Sequence, residues 1–552
     1  MCRINSVNVM ILGLTRGWSL TGYAITAILL LPLLALIVQA TLPDEAVFSH
    51  LFNTVLPTYI FNSLILMLLV GFGSLMIALP AAWFIARCEF PGRRYFQWLL
   101  LLPLAMPAYI VAYVYTDMLD YAGPVQRALR AWFEWQTPHE YYFPAIRSIG
   151  GAAIVLSLVL FPYIYLLART AFMEQSSNLL HASKVMGCAP WRSFWRLALP
   201  MARPALAVGV ALVAMETAAD FATVSYFAVP TLTTAVYDTW LGYGSLTAAA
   251  KLSAIMLLVV FSMVGVERFA RRKQQLFQKQ ARLDESDRYR LTSIKAWAAW
   301  SYCFSLLTVS FLLPFAVLCG YAIDYFAESW DVRFWQYSLN SLYIAAIVSA
   351  VCVVLAVLLM FLRRVSPRPS DHLTSRLSST GYALPGTVLA IGVLVPLTYI
   401  DFAINDVMEW FGAQGPGLLF TGSVFTLVFA FCVRFVAIAI GSLENSYKRI
   451  SHSLDMASIT LGQSPMQLLS RVHLPLLRKG MFAGALLVFI ESMKELPAAL
   501  LLRPIGFENL ATYVFQFVSD EKLEHGALAA IVIVIVGLIP LIFLNRSLEQ
   551  SH

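Results

Sequence analysis

Residues 60–86 read IFNSLILMLLVGFGSLMIALPAAWFIA, and 278 positions after Asn62-Ser63-Leu64 the chain repeats Asn340-Ser341-Leu342 inside a second apolar run. At about 20 residues per crossing, a stretch of this length covers the roughly 30 Å of hydrocarbon in a bilayer when it is helical. It is continuously apolar rather than alternating, so it reads as a helix, which satisfies its own backbone hydrogen bonds in lipid, and not as a barrel strand. Working outward, similar runs lie near 19–41, 96–119, 150–172, 205–229, 249–267, 297–322, 339–362, 380–401, 417–441, 479–502 and 526–545. The expected fold is an all-α membrane protein with about twelve transmembrane helices. Composition points the same way: 59% of the 552 residues are hydrophobic, 12% are charged, and the mean hydropathy is +0.73. A soluble domain carries about twice that share of charge.

The repeat continues beyond the first match. Met106-Pro107-Ala108 returns as Leu384-Pro385-Gly386, again 278 later, while Gly187, Leu199-Pro200 and Glu216 return as Gly462, Leu474-Pro475 and Glu491, each 275 later. This predicts a first six-helix domain over 1–267, a polar linker over 268–296 and a second six-helix domain over 297–552. An even number of spans per unit sends both copies into the membrane in the same sense, as parallel repeats about a pseudo-two-fold axis along the membrane normal.

Orientation follows from the cations. Arg87, Arg93 and Arg94, then Lys184, Arg192, Arg196 and Arg203, then the linker, follow even-numbered spans; Arg363, Arg364, Arg368 and Arg376, and later Lys448, Arg449, Arg471, Arg478 and Lys479, repeat the pattern. By the positive-inside rule these connections and both termini face the cytoplasm. The net charge of +7 is accounted for by this asymmetry and does not argue for nucleic acid as a partner. Basic runs beside a membrane serve topology and contact with anionic lipid. The first apolar segment, between Arg16 and Val38-Gln39-Ala40, also has the pattern of a cleavable signal, but the matching segment at 297–322 favours a retained helix. The seven cysteines show no CxxC spacing, so neither a disulfide framework nor a metal knuckle is indicated.

Between the fourth and fifth spans lies His181-Ala182-Ser183-Lys184-Val185-Met186-Gly187, then Pro190-Trp191, ending in Leu197-Ala198-Leu199-Pro200. Its second copy is Met456-Ala457-Ser458-Ile459-Thr460-Leu461-Gly462, then Pro465, ending in Val472-His473-Leu474-Pro475. Gly permits a sharp turn between two short helices, and Pro three residues later suits the opening of the second. Trp191 and Trp195, four apart with Phe194 beside them, put bulky apolar groups on one face. One such helix alone reads as lying on the lipid interface. Two copies with the same spacing read as docking elements for a partner's groove. His181 and His473 are expected to be contact or surface residues.

The pattern Glu-Ala-Ala, three residues, Gly, nine residues, an aliphatic residue, any residue, then Leu-Pro resembles the loop of binding-protein-dependent ATP-binding-cassette permeases. Both copies keep the spacing, with Leu197 and Val472 at the aliphatic position; His181 and Met456 replace the leading Glu, and Asp455 stands one place earlier. The resemblance covers nearly the whole chain and is nearest to the fused two-copy permeases of ferric-iron importers, which Met106-Pro107-Ala108-Tyr109-Ile110-Val111-Ala112-Tyr113 and Ala383-Leu384-Pro385-Gly386-Thr387-Val388 resemble. It implies two cytoplasmic ATPase subunits docked on Ala182, Ser183, Gly187, Trp191, Trp195, Leu199 and Pro200 in one half and on Ala457, Ser458, Gly462, Pro465, Leu474 and Pro475 in the other. It further implies a periplasmic substrate-binding protein and a bacterial inner-membrane location. Similar permeases serve thiamine, polyamines or oxyanions, so thiamine or another small cation is an alternative cargo.

Glu216 and Asp220 in the fifth span align with Glu491 and Glu495 in the eleventh, each pair spaced i,i+4 on one helix face. Ionisable groups at membrane depth cost at least about 2.5–3.5 kcal/mol each, and they mark pathways. Carboxylate oxygens suit a hard cation such as Fe³⁺ in transit. The competing structural reading pairs Lys494 with Glu491 or Glu495 and gives Glu216 a hydrogen bond across a helix interface or a part in gating without contact to cargo. No HxxxH or HExxH pair occurs, so no stable metal site is expected. There is also no Gly-x-x-x-x-Gly-Lys-Ser/Thr loop, which places ATP and Mg on a partner subunit and leaves this chain without catalytic residues or a cofactor of its own. An ion-gradient-driven transporter can also be built from two parallel six-helix repeats but has no need of paired docking loops. A membrane enzyme using the buried carboxylates as acid and base lacks a nucleophile beside them.

Overall fold

A computed structural model describes residues 16–43, 47–137, 139–175, 185–186, 190–274, 288–366 and 368–549. Twelve principal helices follow the expected order: α1 (Arg16–Thr41), α2 (Leu56–Arg87), α3 (Ala108–Leu119), α4 (Ile149–Met173), α5 (Leu199–Ala219), α6 (Leu246–Gln274), α7 (Ser293–Asp324), α8 (Val332–Val365), α9 (Gly386–Trp410), α10 (Val424–Tyr447), α11 (Leu474–Lys494) and α12 (Leu523–Glu549). Ten helices among the described residues are long and apolar enough to cross a membrane. The described apolar part of α12, Leu523–Ile539, is shorter, and α3 belongs to a broken pair, Arg93–Ala105 and Ala108–Phe133, bent by 90°.

That bend corrects the continuous third span expected at 96–119. Pro107 has no N–H to give to the preceding turn, and Met106 before it is extended (φ −103°, ψ 121°). The ninth span begins late for the same reason: Leu384 is extended before Pro385, and the helix starts at Gly386 instead of near residue 380. A two-residue parallel strand pair, Cys88–Glu89 with Tyr289–Arg290, is the exception to the helical architecture among the described residues. It ties the end of the linker to the loop after α2, where Glu89 meets Arg93 at 3.1 Å and Arg288 at 3.6 Å.

Two polar contacts of the duplication recur in both halves. Asn62 Nδ2 donates to the Pro230 carbonyl at 3.0 Å, and Asn340 Nδ2 to that of Glu508 at 2.8 Å. Ser63 Oγ accepts from Leu232 N at 2.9 Å, and Ser341 Oγ from Leu510 N at 2.7 Å. Every residue in the second set lies 278 after its counterpart. These bonds explain a polar Asn-Ser pair inside an apolar run: it secures the turn that opens helix Leu232–Leu241 in one half and Leu510–Ser519 in the other.

The chain packs as two compact units that cut across the sequence repeat. One comprises residues 1–48, 236–254 and 335–512, so α1 packs with α9 and with helix Pro369–Ser378 of the second half. Ser19 Oγ and Tyr23 Oη donate to the buried Asp371 carboxylate at 2.7 and 2.5 Å, and the Trp18 ring meets Phe361 edge-on at 5.1 Å. The other comprises 49–235, 255–334 and 513–552; in it α2, α4 and α5 form the core, and α7 packs on α12. The division expected at 267 and 297 follows the sequence repeat, whereas packing gives each unit helices from both halves.

Candidate functional site

The second elbow is described completely. Ser451 Oγ accepts from Ser453 N at 3.2 Å and opens helix His452–Thr460. The helix ends in a left-handed Gly462 (φ +77°), whose N–H reaches the Ile459 carbonyl at 3.0 Å while Gln463 N reaches that of Ser458 at 3.2 Å. A Cβ at Gly462 would meet nothing within 4 Å, so glycine is required there by backbone conformation and not by space. Ser464 and Gln467 then form a reciprocal capping box around Pro465.

The second helix of the elbow is not a separate short element as expected. Residues Pro465–Lys494 form one continuous helix, with a π-turn at Leu469–His473 in which Leu474 N bonds to Leu469 O. In the other half Trp191–Ala219 is likewise continuous, with Leu199 N bonding to Phe194 O. Pro200 and Pro475 each follow directly; a proline there lacks the N–H of an ordinary α-turn, and the wider turn is where the helix adjusts. Pro465–Lys494 and Trp191–Ala219 each therefore run from the elbow into a membrane span as one helix.

His473, expected at the surface, is 0% exposed. Its Nε2 lies 2.9 Å from Asp455 Oδ1, and its Nδ1 lies 3.4 Å from Tyr447 Oη. Arg364, in the last turn of α8, places Nε 2.6 Å from Asp455 Oδ2 and donates a second bond to the Ile450 carbonyl at 2.9 Å. Burial opposes ionisation of Asp455, which is 8% exposed, but the bonds from His473 and Arg364 and their charge outweigh it and hold the carboxyl below its ordinary range. Met456 and Ala457 are exposed beside it, Ser458 is buried and donates to Gln463 Oε1 at 3.0 Å, Leu474 is half-buried and Pro475 is exposed. The elbow thus turns Leu461 (79% exposed) and Met466 (61%) outward while its polar groups bond inward.

In the first elbow Ala182, Ser183 and Gly187 lie outside the described residues. Trp191 is 69% exposed and Trp195 is also exposed, whereas Phe194, expected on the same face, is buried with its ring 5.0 Å from Trp83. Leu199 and Pro200 are half-buried. Gln175 donates to the Ala198 carbonyl at 2.8 Å and accepts from Arg87 at 3.0 Å. Neither Gln175 nor Arg434, described below, was singled out in the sequence, because neither has a like residue at the repeat offset.

The membrane carboxylates divide between the units, Glu216 and Asp220 in one, Glu491 and Glu495 in the other. Asp220 and Glu495 are not interior helix positions as the i,i+4 reading assumed, because α5 ends at Ala219 and α11 at Lys494. Asp220 is extended and caps helix Ala222–Tyr226, accepting from Thr223 N at 3.0 Å, Thr223 Oγ1 at 3.0 Å and Val224 N at 3.2 Å. Glu495 accepts from Ala498 N at 3.3 Å at the head of helix Pro497–Leu502. A carboxylate takes up the free N–H groups at such a helix start. The cation at Glu495 is Arg434 of α10, with Nε 3.4 Å from Oε2 and Nη1 donating to the Leu384 carbonyl at 3.2 Å. Gly386 makes room for this arrangement, since a Cβ there would sit 2.5 Å from Glu495 Oε1. The positions aligned with Arg434 are Leu156 and Val159, so Asp220 has no matching arginine. Glu491 is half-buried. No group of three His, Cys, Asp or Glu that could hold a metal occurs among the described residues.

Comparison with known proteins matches this duplicated architecture. The family described as binding-protein-dependent transport system inner membrane component matches twice, at residues 78–275 and 353–551. The chain is 24% identical to the Fe(3+)-transport system permease protein FbpB 2 of Haemophilus influenzae over 94% of its own length and 96% of that protein. It is 22% identical to the ferric transport system permease protein FbpB of Actinobacillus pleuropneumoniae over 87% of its length and 70% of the relative. The molybdenum transport system permease protein ModB of Escherichia coli is similar at 27% identity, but over 36% of this chain. With two copies of the family's domain covering most of its length, the chain belongs to the inner membrane components of binding-protein-dependent transport systems.

Proposed function

We propose that the chain forms the transmembrane pathway of a ferric-iron importer, driven by two cytoplasmic ATPase subunits and loaded by a periplasmic binding protein. The observation that carries the cargo is the end-to-end likeness, through both halves and the linker, to a relative named for Fe(3+) transport. In this reading both termini face the cytoplasm, and ATP with its Mg binds on the partner subunits. The ATPases seat on the two elbows, at Ala182, Ser183, Gly187, Trp191, Trp195, Leu199 and Pro200 and at Ala457, Ser458, Gly462, Pro465, Leu474 and Pro475. Outward-turned Trp191, Trp195, Leu461 and Met466 suit a groove, where aromatic and Met side chains anchor best.

Closure of the ATPases pushes the elbows, and the unbroken helices Trp191–Ala219 and Pro465–Lys494 carry the push into the membrane, giving alternating access. The cargo passes Glu216, Asp220, Glu491 and Glu495. Asp220 is the preferred contact, because its oxygens are held by neutral donors whereas Glu495 is already met by Arg434. A conduit gains from such weak contacts, since the ion has to leave. The test is uptake of radiolabelled ferric iron into proteoliposomes holding the chain, the ATPase and the binding protein. ATP-dependent accumulation is expected; uptake by the chain alone under an ion gradient would refute the reading.

A further inference from the structure

Both elbows are tied to an arginine at the C-terminal end of the second span of their own half, through different chemistry. In the first, Arg87 closes α2 and donates to Gln175, which donates to the Ala198 carbonyl. In the second, Arg364 lies in the last turn of α8 and bonds to Asp455, which bonds to His473. Ala198 and His473 are equivalent positions, 275 apart, and each closes the π-turn that joins the elbow helix to its span. The same mechanical link is thus made by a neutral amide in one half and by a buried ion pair in the other. Arg87 is 1% exposed, His473 0% and Asp455 8%, so both ties are largely shielded from solvent.

We propose that these side chains are positioning residues for energy coupling: Arg87 with Gln175, and Arg364 with Asp455 and His473, make each elbow move as one body with the second span of its half. Without the tie, the elbow would still present its outer face but would pivot at the π-turn and dissipate the push. The second tie is charged on both sides, Arg364 against Asp455, whereas in the first only Arg87 is charged; removing the Asp455 charge therefore leaves a guanidinium that has lost its counter-charge. The inference rests on the reading of the elbows as ATPase seats.

The test uses the assembled transporter in proteoliposomes, with a photocrosslinker in place of Leu461, which lies outside the tie. The parent and Asp455→Asn are both expected to crosslink to the ATPase and to hydrolyse ATP at similar rates, while iron transported per ATP falls about tenfold in Asp455→Asn, as loss of a charge-assisted bond implies. His473→Gln, which keeps an N–H donor toward Asp455, should recover most of the coupling, whereas His473→Leu should not. Should Asp455→Asn fail to insert, Arg364→Lys carries the test, because a single ammonium cannot reproduce the fork that joins Asp455 to the Ile450 carbonyl. Intact crosslinking with unchanged transport per ATP in either variant overturns the positioning role. Loss of crosslinking in Asp455→Asn also overturns it, by making Asp455 part of the seat. No crosslink in the parent refutes the ATPase seat itself and the inference with it.

Discussion

Replacing Gly462 isolates what the elbow's turn contributes. The residue sits at φ +77° with open space around the missing Cβ, so a side chain there meets no steric clash with neighbours and only the backbone term remains. For an L-residue the left-handed conformation costs about 1–2 kcal/mol, which is roughly a 5- to 30-fold shift away from the native turn, and asparagine tolerates it better than alanine. Proline is a different case: its φ is locked near −65° and it has no N–H for the Ile459 carbonyl, so the turn cannot form at all. The expected order of transport per ATP is Gly, then Asn, then Ala, with Gly462→Pro uncoupled, while membrane insertion is unchanged throughout. The assay is paired ATPase and iron-uptake measurement in proteoliposomes, with hydrogen exchange of the Gln463 amide, which bonds to the Ser458 carbonyl across the turn, reporting the turn directly in every variant. Wild-type coupling in Gly462→Pro would refute the reasoning, and so would an alanine variant as damaged as the proline one.

Removing the cation beside Glu495 leaves a buried carboxylate unpaired, so Arg434→Met should destabilise the chain by about 3–5 kcal/mol in detergent melts, and adding Glu495→Gln should restore most of the loss. Asp220→Asn keeps an acceptor for its capping bonds but removes the charge; initial rates of ferric uptake should fall several-fold while ATPase association survives, and unchanged kinetics would return Asp220 to a purely capping role. The depressed carboxyl of Asp455 sets a pH dependence. The elbow's stabilisation is full above the ordinary aspartate value of about 3.9 and is lost as pH falls through the lower folded value. Hydrogen exchange across helix His452–Thr460 should therefore stay slow through mildly acidic pH and accelerate only below it, and in Asp455→Asn that dependence should vanish.

Two of the broken spans mark where one-dimensional reading stops. Apolar length alone predicted 205–229 and 479–502 as continuous, yet each breaks at a carboxylate that caps the next short helix. The local signals were present, an Asp three residues before Thr223 and a Pro497 after Glu495, but hydropathy weighs side chains by polarity and ignores which backbone N–H groups need an acceptor. His473 was misplaced for a related reason. Its polarity suggests the surface, and only the approach of Arg364, 109 positions away, and Asp455 makes a buried imidazole affordable.

What the sequence determined by itself is what rests on local length and periodicity: helices long enough for a bilayer, their duplication, and the Gly-to-Pro elbow, because each depends on neighbouring residues or on a constant offset. The tertiary structure decided how the helices are shared between compact units, which cation meets Glu495, and which hydrogen bonds link each elbow to the second span of its half. Those outcomes depend on distances between residues far apart in the chain, where a bond of 2.6 Å and a separation of many ångströms look alike in sequence. The repeat could therefore reveal two equivalent elbows, while only the packed chain reveals that they are held by an amide in one half and an ion pair in the other.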